Sequence, residues 1–206
     1  MKMSEAREDI FKRLKKAVHK EPEKPDFESS VYHSIDTPLE EAFKENLEKV
    51  NGHVHIFNSD NELYKALKSF LSVFYPENIC CREADIQEKL NSFKIAFSEC
   101  SDVPETIQAG ITGCEYLIAH TGSAMVSSAQ KSGRQMFIYP PVHIIVASKK
   151  QLVKYLDDAY SAIQEKYNKN LPSQISIITG PSRTADIEKT LILGAHGPKE
   201  LHVFIV

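Results

Sequence analysis

HIIVASKKQLVKYLDDAYSAIQEKYNKNLPSQISIIT, residues 143–179, decides how the chain is read. His143 to Ser148 is almost wholly apolar, as expected of a strand buried on both faces. Lys150 to Tyr167 reads as a long amphipathic helix, and Gln174 to Thr179 as another apolar strand. Strands that alternate with helices and lack a polar face belong to a mostly parallel sheet covered on both sides.

The same alternation extends outward. LHVFIV (201–206) is a strand on one side. On the other, HVHIF (53–57) is a strand and Ser59 to Phe74 a helix, with Ser59 and Glu62 as its capping box. NICCR (78–82) reads as a strand, ADIQEKLNSF (84–93) as a helix and KIAFSE (94–99) as a strand, with a short helix after Pro104. EYLIAH (115–120) and SAMVSS (123–128) flank Thr121-Gly122 as a hairpin, which makes the sheet mixed. The expected fold is α/β, a three-layer α/β/α arrangement around a mostly parallel mixed sheet. Thr37-Pro38-Leu39-Glu40 is a helix start, with a capping Thr and Pro in the first turn, and Gly52 can end that helix. Before it, Ile10, Phe11, Leu14 and Val18 form an apolar stripe on a helix over 4–20, and EPEKPDFESS (21–30) reads as a linker. The expected organisation is an N-terminal arm, 1–36, and one α/β domain, 37–206. The arm's stripe needs a partner surface, which a homo-oligomer can supply.

Composition narrows the class. With 206 residues, 42% of them hydrophobic, the chain can bury a real core. A formal net charge of −3 gives no basis for a nucleic-acid or anionic-membrane surface. No apolar run approaches the roughly 20 residues that span a bilayer. The first residues lack an uninterrupted apolar core, so no signal peptide is expected and the default location is the cytoplasm. The four cysteines, Cys80, Cys81, Cys100 and Cys114, show no C-x-x-C spacing and read as buried structural thiols. No iron–sulfur cluster or other cofactor is expected in this chain. His53 and His55 share one strand face, but no third metal ligand stands with them.

Open α/β sheets bind ligands beyond the carboxyl ends of parallel strands, and three polar stretches are expected near such ends, the third depending on how the last strand is ordered in the sheet. In HTGSA (120–124), His120, Thr121, Gly122 and Ser123 make either a solvated turn or an anion cradle. In TGPSRTADIE (179–188), Gly180 ends a strand, and Ser182 or Thr184 can cap a helix whose first turn holds Asp186 and Glu188. With Arg183, that is more polar hardware than a cap requires, and the two acids can equally serve a substrate hydroxyl or act as acid and base. In GAHGP (194–198), Gly194 and Gly197 bracket His196, either a structural donor or a proton carrier beside a bound anion. There is no G-x-x-x-x-G-K, G-x-G-x-x-G or G-x-S-x-G in the sequence.

The run from Gly180 through Ser182, Arg183, Thr184, Asp186 and Glu188 to Leu193-Gly-Ala-His196-Gly-Pro198-Lys-Glu-Leu-His-Val resembles the C-terminal signature of the LUD, or lactate-utilisation domain, family. GITGCEYLIAHTGSAMV (110–126) matches it more loosely, and PPVHIIV (140–146) matches again; together they cover roughly residues 50–206. The likeness is to the short C-type members. It implies a fold akin to the sugar-phosphate isomerase and coenzyme A transferase superfamily. It also implies a cytoplasmic three-protein system oxidising L-lactate to pyruvate, in which partner subunits carry the iron–sulfur clusters and this chain binds a small carboxylate. The implied catalytic residues are Asp186, Glu188 and His196. The implied ligand-binding residues are His120, Thr121, Gly122, Ser123, Gly180, Ser182, Arg183, Thr184 and Gly197. One departure stands out: the family often has Glu-Thr-Gly-Thr where this chain has His120-Thr121-Gly122-Ser123. Two alternatives remain, an independent transferase-like or isomerase-like enzyme and a non-catalytic scaffold.

Overall fold

The structure is a computed structural model that describes residues 2–17, 24, 32–184, 192–194 and 196–206. The chain divides into two compact units, Met1–Val31 and Tyr32–Val206. In the first, α1 (Lys2–Lys16) leaves Ile10, Phe11 and Leu14 half or more exposed along one stripe. Val18 and most of the proline-bearing stretch 21–30 lie outside the described residues.

The second unit opens with α2 (Leu39–Glu48), which follows Pro38 and buries Ala42, Phe43 and Leu47. Then come β1 (His53–Ile56), α3 (Asp60–Leu71), β2 (Ile79–Cys81), α4 (Ala84–Ser92) and β3 (Ala109–Thr112). Ser59 caps α3 by accepting from the Glu62 amide as expected, but the Glu62 carboxylate returns to the Asn58 amide and not to that of Ser59, so the box is left half made. The hairpin is β4 (Tyr116–Ile118) and β5 (Ser123–Ser127), followed by β6 (Val142–Ala147), β7 (Leu152–Val153), α5 (Leu156–Lys166) and β8 (Ile175–Ile178). Two short strands, β9 (Arg183–Thr184) and β10 (Ile192–Leu193), precede the last, β11 (Glu200–Ile205).

Five strands, in the order β1-β11-β6-β3-β2, form a fully parallel sheet. Alternate residues face opposite ways. Ile79, Cys81, Ala109, Ile111, Val142, Ile144 and Phe204 pack under α3 and α4. Ile145, Ala147, Leu201, Val203 and Ile205 pack on the other face against α2 and against Leu117, Ala119, Ala124 and Val126 of the hairpin. The α/β class is as expected. The hairpin, however, builds a sheet of its own, β7-β4-β5-β8, instead of joining the parallel one. That second sheet carries α5 on its far face through Ile118, Met125, Ala159 and Ile163.

Three local expectations change. The helix expected from Lys150 begins at Leu156, because Leu152 and Val153 pair with Leu117 and Ile118 as β7. KIAFSE supplies one bridge, Ser98 to Cys80, and the stretch after Pro104 makes a turn. AGIT, not anticipated as a strand, is β3, between β6 and β2; Gly110 lets it pass Pro140, whose Cγ would lie 2.5 Å from a β-carbon there. The cysteines also divide: Cys80 and Cys100 pair as a disulfide, with Cα atoms 6.0 Å apart, while Cys81 and Cys114 are free and buried. Burial pushes the Cys81 thiol up to about 12 and the Cys114 thiol higher still, so both are neutral, inert thiols.

Candidate functional site

The second and third polar stretches interlock. Ser182 donates its amide to the Pro198 carbonyl (2.8 Å), and Gly194 donates to the Ser182 carbonyl (2.9 Å). β9 and β10 pair antiparallel, Arg183 opposite Leu193 and Thr184 opposite Ile192. Gly197 lies against Ser182, where a β-carbon would be 3.1 Å from Ser182 Cβ. Asp186 and Glu188 belong to the segment joining β9 to β10 and lie outside the described residues. The exposed His196 lines a groove of about 400 Å³ with Gly194, Gly197, Ile138 and Tyr139. A second groove, of about 470 Å³, is lined by Tyr139, Pro141, Val103 and Ile107.

The groove sits at the amino ends of the parallel strands, not at the carboxyl ends expected, because the third stretch leads into β11 instead of leaving a strand. Lys199 and Glu200 both donate to the Pro141 carbonyl just before β6 and β11 begin. His196 is therefore offered beside Tyr139 on an open surface, free to donate to or accept from a small polar ligand. Gly194, at φ +74°, takes the turn a side chain resists.

The first stretch is placed differently. Ser123 is buried and links the hydroxyls of Thr121 and Thr179, each at 2.7 Å, so it touches the second stretch at its first residue. His120, Thr121, Gly122 and Ser123 are not among the residues lining the His196 groove. Asn46 of α2 donates to the carbonyls of Ala119 and His120, at 3.0 and 3.1 Å, and so bolts the turn down. The His120 ring meets Tyr32 and Tyr155 edge-on, with centroids 5.4 Å from each. Gly180 is likewise pressed on α2, where a β-carbon would stand 2.6 Å from the Val50 carbonyl oxygen. These positions fix the hairpin and the β8 turn to α2.

The carboxyl ends of β2 and β3 carry a polar group that the motif reading missed. Arg82 and Glu83 follow β2 directly, and Gly113 follows β3. Gly113 donates to Glu83 (2.8 Å), while Thr112 bonds His143 Nε2 (2.9 Å) and the Gly113 carbonyl (3.0 Å). Burial raises the Glu83 pKa, opposed by the Gly113 amide and by Ser132 and Gln130. Burial holds His143 neutral, with its pKa down at about 4. A charged pair immediately after a β2-type apolar strand was the signal available in the sequence. Elsewhere, Glu115 is buried beneath α5 and accepts from Ser127 (2.5 Å), Lys166 (2.6 Å) and Tyr167 (2.8 Å). Burial alone would raise its pKa, but these three donors outweigh it and keep the carboxylate ionised.

Residues 40–206 match the model of the LUD domain. An uncharacterised protein of Neisseria meningitidis serogroup B is 32% identical over 148 residues, covering 69% of this chain and 62% of that protein. Lactate utilization protein C of Geobacillus thermodenitrificans is 34% identical over 107 residues, 51% of this chain and 45% of its own length. The protein of the same name from Bacillus subtilis is 29% identical over 174 residues, 82% of this chain and 69% of its length. The chain thus spans less than two thirds of the first two relatives. The crystal structure of a DUF162 family protein from Deinococcus radiodurans superposes with a TM-score of 0.61 at 18% identity, over 82% of this chain and 96% of that one, and shares the fold. The match over most of the α/β unit, signature segment included, shows that this chain belongs to the LUD domain family.

Proposed function

We propose that this chain acts in lactate utilisation, as a cytoplasmic subunit that works with iron–sulfur partner subunits in oxidising L-lactate to pyruvate. The observation carrying this reading is the sequence relation to proteins named lactate utilization protein C, which spans up to 82% of the chain. In this reading the subunit holds a small carboxylate in the groove beside His196. His196 moves or shares a proton at its ring, and Asp186 and Glu188 act as acid and base from the β9–β10 connection. Ser182, Arg183, Thr184 and Gly197 shape that wall, while Gly180, His120, Thr121, Gly122 and Ser123 serve it from outside the groove by holding the hairpin and the β8 turn in place. The interlocked backbone of Ser182, Gly194 and Pro198 supports a shared role for the two signature segments.

The test is genetic and biochemical together. In a host lacking the gene, the wild-type chain should restore growth on L-lactate and co-purify with iron–sulfur proteins. His196→Gln and Asp186→Asn should abolish growth while leaving the melting temperature within a few degrees. Asn caps as well as Asp, so a purely structural Asp186 would lose only about 0.3–1 kcal/mol. Normal growth of both variants would retire the groove, and failure of the wild type to restore growth would retire the pathway.

A further inference from the structure

Among the described residues, three buried side-chain polar atoms lack a hydrogen-bond partner: Arg82 Nη2, Ser132 Oγ and His143 Nδ1. They belong to one connected network. Arg82 Nη1 donates to the Ser132 carbonyl (3.3 Å), and Glu83, next in the chain, accepts from Gly113. Thr112 then links Gly113 to His143. Buried polar groups are almost always satisfied, and three exceptions in one network at the carboxyl ends of two parallel strands call for a cause.

Arg82 is the informative member. Its Nε donates to the Cys100 carbonyl at 2.7 Å and its Nη1 to Ser132, so two backbone oxygens fix the plane of the guanidinium. The third nitrogen is aimed but unused. Among the described residues no carboxylate forms an ion pair with this cation. Arg82 as a whole is only partly buried, but with its other nitrogens held by backbone and Nη2 shielded and unused, an anion is the natural complement of this fixed guanidinium. Ser132 is wholly buried on the turn that Arg82 grips; its hydroxyl lies near enough to the Glu83 carboxyl to lower its pKa but makes no bond of good geometry there, so it can turn to a bound anion. Gly133, at φ +72°, brings backbone over the guanidinium, where a β-carbon would lie 3.5 Å from Nη1.

We propose that Arg82 and Ser132 form a binding site for a small oxyanion, a carboxylate or a phosphate group, distinct from the His196 groove. The anion accepts from Arg82 Nη2 and the Ser132 hydroxyl, with Glu83 alongside to hold a proton toward a neighbouring ligand oxygen. No solvent reaches the free nitrogen in this conformation, so entry displaces the turn 129–133. Among the described residues, Arg82 reaches that turn through its bond to the Ser132 carbonyl, at the long end of the hydrogen-bond range. Gly133 otherwise bonds within the turn, Gln130 and Ser132 also bear on Glu83, and Ser128 at the start of the turn stays paired with Ser173 and Gln174.

Nitrogen-15 NMR of the full chain tests this site separately from the groove. Sodium L-lactate and sodium phosphate are titrated in parallel at constant ionic strength, and the Arg82 Nε–H and the Ser132 and Gly133 amide signals are followed. Saturable shifts of these signals with either anion support the site, and the anion that saturates first identifies its source. Arg82→Gln and Ser132→Ala should each weaken that binding by at least about tenfold, as expected for loss of a charge-assisted or buried hydrogen bond. Ser132→Ala, the milder change, decides the matter if Arg82→Gln fails to fold. Silence of these signals toward both anions, or equal affinity in the folded variants, overturns the site whatever the growth assay of the His196 groove gives.

Discussion

Gly122 has φ +61°, and a β-carbon there would stand 2.2 Å from the Leu47 amide nitrogen. Sequence suggests either a solvated turn or an anion cradle for such a Gly-centred loop, and the packing gives it a third use, close approach to a helix. Gly122→Ala should therefore destabilise by roughly 2–4 kcal/mol, combining left-handed strain with overpacking. In a chain of this size that lowers the melting temperature by about 4–16 °C. An unchanged melt would show that α2 yields freely. The buried histidines make a second residue-scale prediction. His55 and His143 both have folded pKa values near 4, chiefly through burial. Between the unfolded value near 6.5 and 4 the unfolded chain binds protons that the folded chain refuses, so stability falls as pH drops through that window. Above pH 7 these groups contribute no slope. Urea midpoints at pH 7.5, 6 and 5 should fall in that order, and His143→Gln should flatten the series.

At the scale of elements, patterning identified β1, β2, β4, β5, β6, β8 and β11, and the helices that cover them. It missed β3 because Ala-Gly-Ile-Thr lacks β-branched density on both sides of Gly110, and the glycine is there for Pro140. It began α5 six residues early because Leu152 and Val153 fit a helical stripe as well as a strand, and only their pairing with β4 decides. The end of α5 is fixed by polarity. Lys166 is half exposed, yet it reaches the Glu115 carboxylate, whose side chain is 1% exposed. Lys166→Met should cost about 1–3 kcal/mol, less than a fully buried pair because solvent already screens the lysine. Glu115 has a depressed pKa, so its contribution is full above its unfolded pKa and disappears as pH falls through the folded value. Denaturant titration of the variant at neutral pH checks the first statement; a loss below about 0.3 kcal/mol would contradict it. Thiol counting checks the cysteines. An oxidised, denatured sample should react at two thiols, Cys81 and Cys114, and a reduced one at four.

For the whole molecule, the sequence carried the α/β class, whereas the division into two sheets depends on long-range pairing that no local pattern encodes. The signature segment was legible by family likeness, and its Ser182–Gly194–Pro198 interlock is backbone chemistry, invisible to a reading of side chains. The boundary of the folding unit is also a whole-molecule property. The clustered apolar cores of the second unit begin at Ile35 and run to Val206. Tyr32 stacks on Tyr155 with centroids 4.4 Å apart, and Tyr155 donates to the His33 carbonyl at 3.0 Å. We therefore expect residues 32–206 to fold alone, with a melting temperature within about 2 °C of the full chain. Starting instead at 37 removes the Tyr32 stack, about 0.5–1.5 kcal/mol, and the packing of Ile35, about 1–2 kcal/mol. That shorter chain should still fold and melt roughly 3–14 °C lower. Calorimetry of the three lengths separates the outcomes. Equal melting of 32–206 and 37–206 would make residues 32–36 mere linker, and failure of 32–206 to fold would make the α1 segment part of the core.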